Sequence, residues 1–577
     1  MSKEITIELN SREVVALTGK TILQTMERAG VSVPTLCYMK DLLPTGACRM
    51  CVVELEGRPG LVPSCAFPVS EGMKVMSHSP RALRARKTII ELLLADHPDD
   101  CLYCVRSGTC QLQDQANTLG VRERRYRGKK LHNDLDVASP SIQRDPDKCI
   151  LCGKCVRVCE EIQEVSAIDF VNRGCNAHIG TTFDQGINVS NCINCGQCIL
   201  ACPTGALRET SAFREVLEAI HDPDITVMVQ HAPSVSVTIG EEFDIKPGVD
   251  VAGVMTAALR HLGFDRVFDT SFTADLTIME EAAELVQRVT TGGVLPMFTS
   301  CSPGWVKFIE QFYPDLLPNV SSCKSPQQML GAVIKSYYAE RENIDPKKIF
   351  SVGIMPCAAK KFEATRPEME HDGCPDIDAV LTTRELARFI RGAGLDLKTM
   401  YADTADNPFG ERSTAGKLFG TSGGVMEAAL RTAYFTITGK EMEDLNIQAV
   451  RGHEGIKEAQ IQITDDLTVG VAASSGLANA RKLCEQVRAG RKDLHFIEVM
   501  ACPGGCIAGG GQPIGTDPEK IKARMAALYK LDRTGELRTS HQNPAIQRLY
   551  GEYFGEPGSH KSHELLHTHY HARDTIA

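Results

Sequence analysis

Short β-branched runs alternate with one helical stretch over the first 78 residues: Ile5-Thr6-Ile7-Glu8-Leu9 and Cys51-Val52-Val53-Glu54-Leu55 read as strands, Thr21 to Arg28 as a helix. This predicts a small α+β domain over 1–78. Ser79-Pro80 has the chemistry of an N-cap followed by proline at the first helical position. The apolar residues Leu83, Ile89, Ile90, Leu93 and Leu94 then carry an amphipathic helix to His97. Residues 111–145 are polar and read as a connector, and 146–210 holds two similar cysteine runs, an internal duplication. From 211 onward, β-branched runs at 225–229 and 349–354 alternate with helical stretches at 252–262 and 278–289. Such alternation predicts a large α/β unit over 211–577 with buried, mainly parallel sheets. The tail from Ser559 carries His567, His569 and His571. Histidines spaced by two cannot share a helical face, so this end reads as a polar, frayed helix terminus rather than a metal site.

Charge and composition narrow the partners. The chain is acidic, with 63 Lys+Arg against 73 Asp+Glu, which disfavours nucleic acid or an anionic membrane as partner. No apolar run is long enough to span a bilayer, and the start Met1-Ser2-Lys3-Glu4 lacks the order of an export signal, so a cytoplasmic protein is expected. In that reducing compartment 23 cysteines are not a disulfide framework, and metal or redox chemistry becomes their expected use. Sixteen of them lie in the first 202 residues.

Their spacings define four sites. Cys37, Cys48, Cys51 and Cys65 form C-x10-C-x2-C-x13-C, with Gly46 freeing the backbone to wrap a cluster. The arrangement is related to the loop of plant-type [2Fe–2S] ferredoxins, and zinc is the alternative. His97, Cys101, Cys104 and Cys110 form H-x3-C-x2-C-x5-C, which fits a Cys3His zinc knot or a His-ligated iron–sulfur cluster over 79–140. Two C-x2-C-x2-C-x3-C runs follow in 141–210, at Cys149, Cys152, Cys155, Cys159 and at Cys192, Cys195, Cys198, Cys202, the second closed by Pro203. This is the bacterial two-cluster ferredoxin run, in which each fourth cysteine serves the other cluster. One [4Fe–4S] cluster is therefore expected on Cys149, Cys152, Cys155 and Cys202, and another on Cys192, Cys195, Cys198 and Cys159. Cys175, Cys374 and Cys484 lack partner spacing and are expected to be buried or partly buried thiols.

Three further motifs lie far apart in the back half: Thr299-Ser300-Cys301-Ser302-Pro303-Gly304-Trp305, Met355-Pro356-Cys357-Ala358-Ala359-Lys360-Lys361, and Met500-Ala501-Cys502-Pro503-Gly504-Gly505-Cys506 followed by Gly509-Gly510-Gly511-Gln512-Pro513. Spacing alone supports a fifth iron site. Together with the front-end sites, these motifs resemble the modular [FeFe]-hydrogenases, over nearly the whole chain. The resemblance is to the stand-alone clostridial enzymes and to the hydrogen-handling subunit of electron-bifurcating complexes.

That resemblance implies a multidomain α+β chain: an N-terminal β-grasp [2Fe–2S] ferredoxin domain, a His/Cys cluster domain, a bacterial two-cluster ferredoxin domain and a large α/β catalytic domain. The implied cofactors are one [2Fe–2S], three accessory [4Fe–4S] and the H-cluster, a cubane bridged to a diiron unit with CO, cyanide and an azadithiolate. The implied reaction is 2H⁺ + 2e⁻ ⇌ H₂, with ferredoxin, or an NAD(P)-binding flavoprotein and small iron–sulfur subunits, as electron partners. Cys357, Cys502 and Cys506 are implied cubane ligands, Cys506 bridging. The family usually has adjacent cysteines where this chain has Cys301-Ser302. The fourth ligand is therefore open between Cys301, Cys323 and Ser302, with serinate least expected because a hydroxyl is hard to deprotonate. Glu281, Ser321, Glu284 and Arg288 match the proton path, on a helix expected to start near Thr277. Lys360 matches a hydrogen-bond donor to cyanide, and Ala232, Pro233, Ser234, Gln327, Met355, Phe419 and Met500 match the pocket wall. Two other readings use the same sequence: an electron-wiring subunit like the large iron–sulfur subunit of respiratory complex I, and a hydrogen sensor. No Gly-rich dinucleotide or phosphate loop occurs, so NAD(P) is expected on another subunit.

Overall fold

In the N-terminal strand Glu4–Leu9, Ile5, Ile7 and Leu9 point inward while Glu4 and Thr6 face solvent, the alternation that a sheet with one buried face demands. A computed structural model describes residues 3–128, 130 and 132–575; the outermost residues of the expected 1–78 and 211–577 domains lie outside the described residues. The first sheet has five strands in the order Arg12–Leu17, Glu4–Leu9, Lys74–Met76, Val52–Leu55, Val62–Pro63. Glu4–Leu9 and Lys74–Met76 run parallel, the other pairs antiparallel. Helix Ile22–Arg28, opened by a Thr21/Gln24 capping box, contributes Ile22, Leu23 and Met26 to the same core.

Helix Pro80–Asp96 begins as its sequence predicts, with the Ser79 hydroxyl accepting from the Ala82 N–H (3.2 Å), and it ends at His97. The stretch 111–145 is more ordered than a connector. Gln111–Thr118 is helical, and Ile142–Arg144 pairs antiparallel with Leu207–Glu209. Its anchor is Leu112, buried with Leu36, Met50 and Ile90, a contact that average polarity conceals. The duplicated cysteine runs make matching short helices, Lys154–Arg157 and Gln197–Ala201, each preceded by a left-handed glycine, Gly153 (φ 71°) and Gly196 (φ 73°).

The back half is built on two four-stranded sheets. One is wholly parallel, in the order Arg266–Asp269, Thr226–His231, Ile349–Met355, Ala379–Thr382. In the other, Met297–Phe298, Phe496–Met500 and Leu467–Ser475 are parallel, and Ile456–Thr464 is an antiparallel edge. Buried runs such as Val227, Met228 and Val229 are what a sheet covered on both faces requires. The helix carrying Glu281 starts at Ser271, not near Thr277, and runs to Thr291, because Phe272, Ala274 and Leu276 extend its buried stripe. One hydrophobic cluster joins Ile142, Val156 and Ile199 to Trp305, Phe308 and Leu477, so the two-cluster region and the back half share a core.

Two expectations are corrected. Cys175 is exposed, whereas Cys374 and Cys484 are buried. The tail is not frayed: helix His560–Leu566 is capped by Ser559 and buries Leu565 and Leu566, and His567 forms an antiparallel bridge with Cys323. The two leucines dock it, which a reading centred on its histidines overlooks. Among the described residues no helix is long and apolar enough to cross a membrane.

Helix Pro518–Thr534 is tied down by charge. Asp532 accepts from Arg431 (2.9 Å), Arg451 (3.2 Å) and Arg538 (3.0 Å), and Glu427, itself fully buried, takes Arg431 and Arg451 at 2.7 Å. Removing one partner of a buried pair leaves the others uncompensated. Asp532→Ala should therefore cost about 3–5 kcal/mol of stability, read as a lowered denaturation midpoint.

Candidate metal and catalytic centre

The duplicated cysteine runs meet in two cavities, whereas Cys101 of the His97 motif is exposed. Cys149, Cys152, Cys155 and Cys202 line one cavity of about 440 Å³. Cys159, Cys192, Cys195 and Cys198 line another of about 370 Å³. Each therefore takes its fourth cysteine from the other run. Cys37 lies against Cys48, whose N–H points to the Cys37 sulfur (3.5 Å), and Cys51 against Cys65. In each pair the neighbouring thiol holds one sulfur, Cys37 or Cys51, below the ordinary thiol range. His97 is buried with an unpartnered Nδ1 among the described residues, and burial lowers its pKa. A methyl group at Gly205 would lie 2.7 Å from the Cys104 sulfur, so the backbone beside Cys202 packs directly on the His97 motif. Cys48, Cys110 and Ile150 pack against one small cluster of Leu36, Met50, Ile90 and Leu112, and Ile150 lines the cavity of Cys202, so both peripheral cysteine sites border that cavity's surroundings.

The back-end motifs converge at the carboxyl ends of strands from both sheets, where parallel α/β folds place their sites. Thr226–His231 delivers Ala232, Pro233 and Ser234; Ile349–Met355 delivers Cys357; Phe496–Met500 delivers Cys502; Met297–Phe298 leads to Cys301. These residues, with Ser302, Gln327, Lys360, Phe419 and Cys506, line a cavity of about 830 Å³, its mouth included. All seven residues expected in the pocket wall are present. Cys195 also lines it. A side chain at Gly510 would run into the Cys195 carbonyl, so the glycine-rich segment brings the two backbones together and closes the distance between this cavity and the neighbouring cluster site.

The donor set fits an iron–sulfur group. Burial raises Cys357, Cys502 and Cys506, the last to about 12, so thiolates are sustained here only beside a compensating metal charge. Ser234 Oγ and Gln327 Oε1 are buried without partners among the described residues, as groups facing a polar ligand would be. Lys360 is fixed by Glu363 (2.9 Å) and donates to the Cys301 carbonyl (3.2 Å). Glu363, three residues on, also accepts from Ser325 (3.0 Å) and Gln327 (3.3 Å), and its i+3 spacing from Lys360 was the available signal for it.

Cys301 and Ser302 part company. Cys301 packs against the hydrophobic cluster that contains Ala274 and Ile278, on the helix of Glu281, as does Cys506. Burial raises its thiol, with Glu281 and Cys506 adding to the effect. Ser302 Oγ instead accepts from the Ala501 N–H (3.3 Å), beside Cys502. Cys323 does not line the cavity; it lies beneath, 3.9 Å from Glu284 Oε2.

Behind Cys301, Glu281 is fully buried, and burial lifts its pKa to about 8, with Glu284 and Glu498 raising it further. Ser321 donates to Glu284 Oε2 (2.9 Å), and Arg288 donates to Glu284 Oε1 (2.6 Å). Glu281, Ser321, Glu284 and Arg288 therefore sit outside the cavity wall, with Ser321, Glu284 and Arg288 joined by hydrogen bonds and both Glu281 oxygens without a partner among the described residues. Glu498, a buried carboxylate held by the N–H groups of Gly423 (2.6 Å) and Met426 (2.8 Å), was missed because its strand reads as plain core.

Comparison with known proteins gives a consistent result. Residues 225–510 match the family described as iron only hydrogenase large subunit, C-terminal domain, and 518–573 match iron hydrogenase small subunit. Residues 2–80 match a 2Fe-2S iron-sulfur cluster binding domain, 86–125 the NADH-ubiquinone oxidoreductase-G iron-sulfur binding region, and 148–206 a 4Fe-4S dicluster domain. The NADP-reducing hydrogenase subunit HndD of Solidesulfovibrio fructosivorans is 46% identical over 99% of this chain and 100% of its own length. Iron hydrogenase 1 of Clostridium pasteurianum is 42% identical over 98% and 99%. The solved [FeFe]-hydrogenase HydA1 of Chlamydomonas reinhardtii superposes with a TM-score of 0.58 at 44% identity, covering 63% of this chain and all of its own.

The packing of Cys301 sets a test. Cys301→Ser should keep the iron content of the catalytic cavity, measured by iron analysis and EPR of the reduced chain, while turnover falls by about 10²–10⁴-fold. Loss of iron would instead make Cys301 a ligand.

Proposed function

The chain belongs to the iron-only hydrogenases, as an [FeFe]-hydrogenase with accessory iron–sulfur domains, and on that premise we propose how its own residues divide the work of 2H⁺ + 2e⁻ ⇌ H₂. The observation that carries the proposal is the single cavity shared by three distant cysteine motifs and by Cys195. Cys357, Cys502 and Cys506 would hold the cubane of the H-cluster. The electrostatic influence of Glu281 on Cys301 supports a place on the proton side, with the Ser302 oxygen as the remaining donor for the cubane. The bound group supplies an open iron position and an amine base. Lys360, locked by Glu363, presents an ammonium to an anionic ligand, and Ser234 and Gln327 offer their unpartnered groups to the same space. Met355, Phe419, Met500, Ala232 and Pro233 exclude water.

Protons travel by Cys301, Glu281, Ser321, Glu284 and Arg288. Glu281 suits reversible transfer because burial places its pKa near working pH, so it both accepts and releases a proton at small cost. One [2Fe–2S] and three [4Fe–4S] clusters, when bound, would supply electron transfer toward the cavity. Such a relay would be forked: Cys48 and Gly205 bring the Cys37 and His97 motifs against the cavity of Cys202, and Cys195 of the second cluster site also lines the catalytic cavity. A wiring subunit has no need of that cavity. The relative named as an NADP-reducing subunit favours an NAD(P)-binding flavoprotein and small iron–sulfur subunits as partners, with ferredoxin as the other donor, in the cytoplasm.

The matured chain should exchange deuterium gas with water and evolve H₂ from a reduced dye; absence of both, with metal-bound carbonyl and cyanide seen in the infrared, would sink the proton route. Glu281→Gln should lower turnover by roughly 10²–10⁴-fold with cluster content unchanged. It should also alter stability in a defined direction. The folded wild type binds a proton more tightly than a free carboxyl of pKa 4.5, so its stability falls as pH rises from 4.5 to about 8. Denaturation midpoints across that window should be flatter for Glu281→Gln.

A further inference from the structure

On the far side of the proton file from the cavity, three side chains that the function leaves unexplained or half-explained face one another. Glu280 is buried and accepts from the Tyr550 hydroxyl (2.5 Å) and the Gly558 N–H (2.8 Å). Its Oε2 also lies 3.1 Å from His567 Nε2. His567 Nδ1 lies 2.8 Å from Ser322 Oγ, whose hydroxyl also lies 3.3 Å from Glu284 Oε2. Cys323, fully buried and outside the cavity wall, sets its sulfur 3.9 Å from the same oxygen. One ligand atom each from Glu284, Cys323 and His567 lies within 4.8 Å of the others.

We propose that Glu284, Cys323 and His567 form a binding site for a thiophilic divalent cation of the zinc class, and that filling it closes the proton route. An imidazole nitrogen, a sulfur and a carboxylate are the donor types zinc takes. Tetrahedral zinc sets such atoms about 3.3–3.8 Å apart, so closure needs movements of about 1 Å or less. The carboxylate behind the ring, Glu280, orients the histidine as the outer partner of a metal-bound imidazole does. Ser322 or water completes the fourth position. The His563 ring, on an exposed residue, stacks 4.1 Å from that of His567 and marks the way in. On binding, zinc replaces the Cys323 thiol proton, which leaves to solvent, and a Zn–S bond forms without change of oxidation state. The consequence for turnover rests on the reading of Glu284 as a proton carrier: a carboxylate holding a cation no longer exchanges protons with Ser321.

The experiment uses the holoenzyme with every cluster in place. It is treated with Zn²⁺, desalted, and compared with Cys323→Ala and His567→Gln treated alike. Wild type should retain one more zinc per chain than either variant. Its zinc-edge absorption should show one sulfur at about 2.3 Å, and its H₂ uptake should drop and return on chelation. Glu280→Gln should weaken retention by roughly 10–100-fold. Equal zinc in wild type and both variants, or a zinc shell without sulfur, overturns the site. Sulfur-bound zinc with undiminished turnover keeps the site and removes Glu284 from the route, and unchanged H₂ production by untreated Cys323→Ala separates the cation's effect from damage to the fold.

Discussion

A thiolate in a dry interior is tolerated only where a positive charge stands against it, and this chain buries three such sulfurs in one cavity drawn from motifs about 150 residues apart. Everything around the cavity serves that constraint. Two sheets present their strand ends to the same space, so each cysteine arrives on a short turn fixed by a fully buried strand. Lys360 is the one ammonium among the described residues at the wall, and Glu363 holds it. Gly510 carries no side chain where the Cys195 carbonyl approaches, and Gly509 and Gly511 carry none where Pro356 does.

The proton file obeys the opposite electrostatics. Glu281 has no cation beside it, so burial keeps its proton on at neutral pH, whereas Glu284 is gripped by Arg288 and two serines near the surface. The C-terminal segment, matching the family described as iron hydrogenase small subunit, packs over Glu284 and Ser322 from outside: His567 bridges to Cys323 and lies 2.8 Å from Ser322 Oγ, and Arg573 reaches buried Glu310.

The crossed grouping of Cys159 and Cys202 was legible in the duplicated cysteine run, because residues around one cavity inside a short repeat are constrained locally. The strands at 226–231 and 349–355 and the helix end at His97 were legible for a similar reason, since hydrophobic period and capping chemistry act over a few residues. Leu112 and the docked tail were not legible, because one or two apolar residues decide them and their partners are distant in sequence.

What the chain by itself determined was its inventory of iron sites, its α/β back half and the family to which those motifs belong. Only the tertiary structure decided which of Cys301 and Ser302 turns toward Glu281, that Cys323 lies below the cavity, that both peripheral sites border the surroundings of the Cys202 cavity, and that Glu284, Cys323 and His567 share a corner. These are relations between residues tens to hundreds of positions apart. They follow from how sheets and helices stack, and no local period or spacing carries that information.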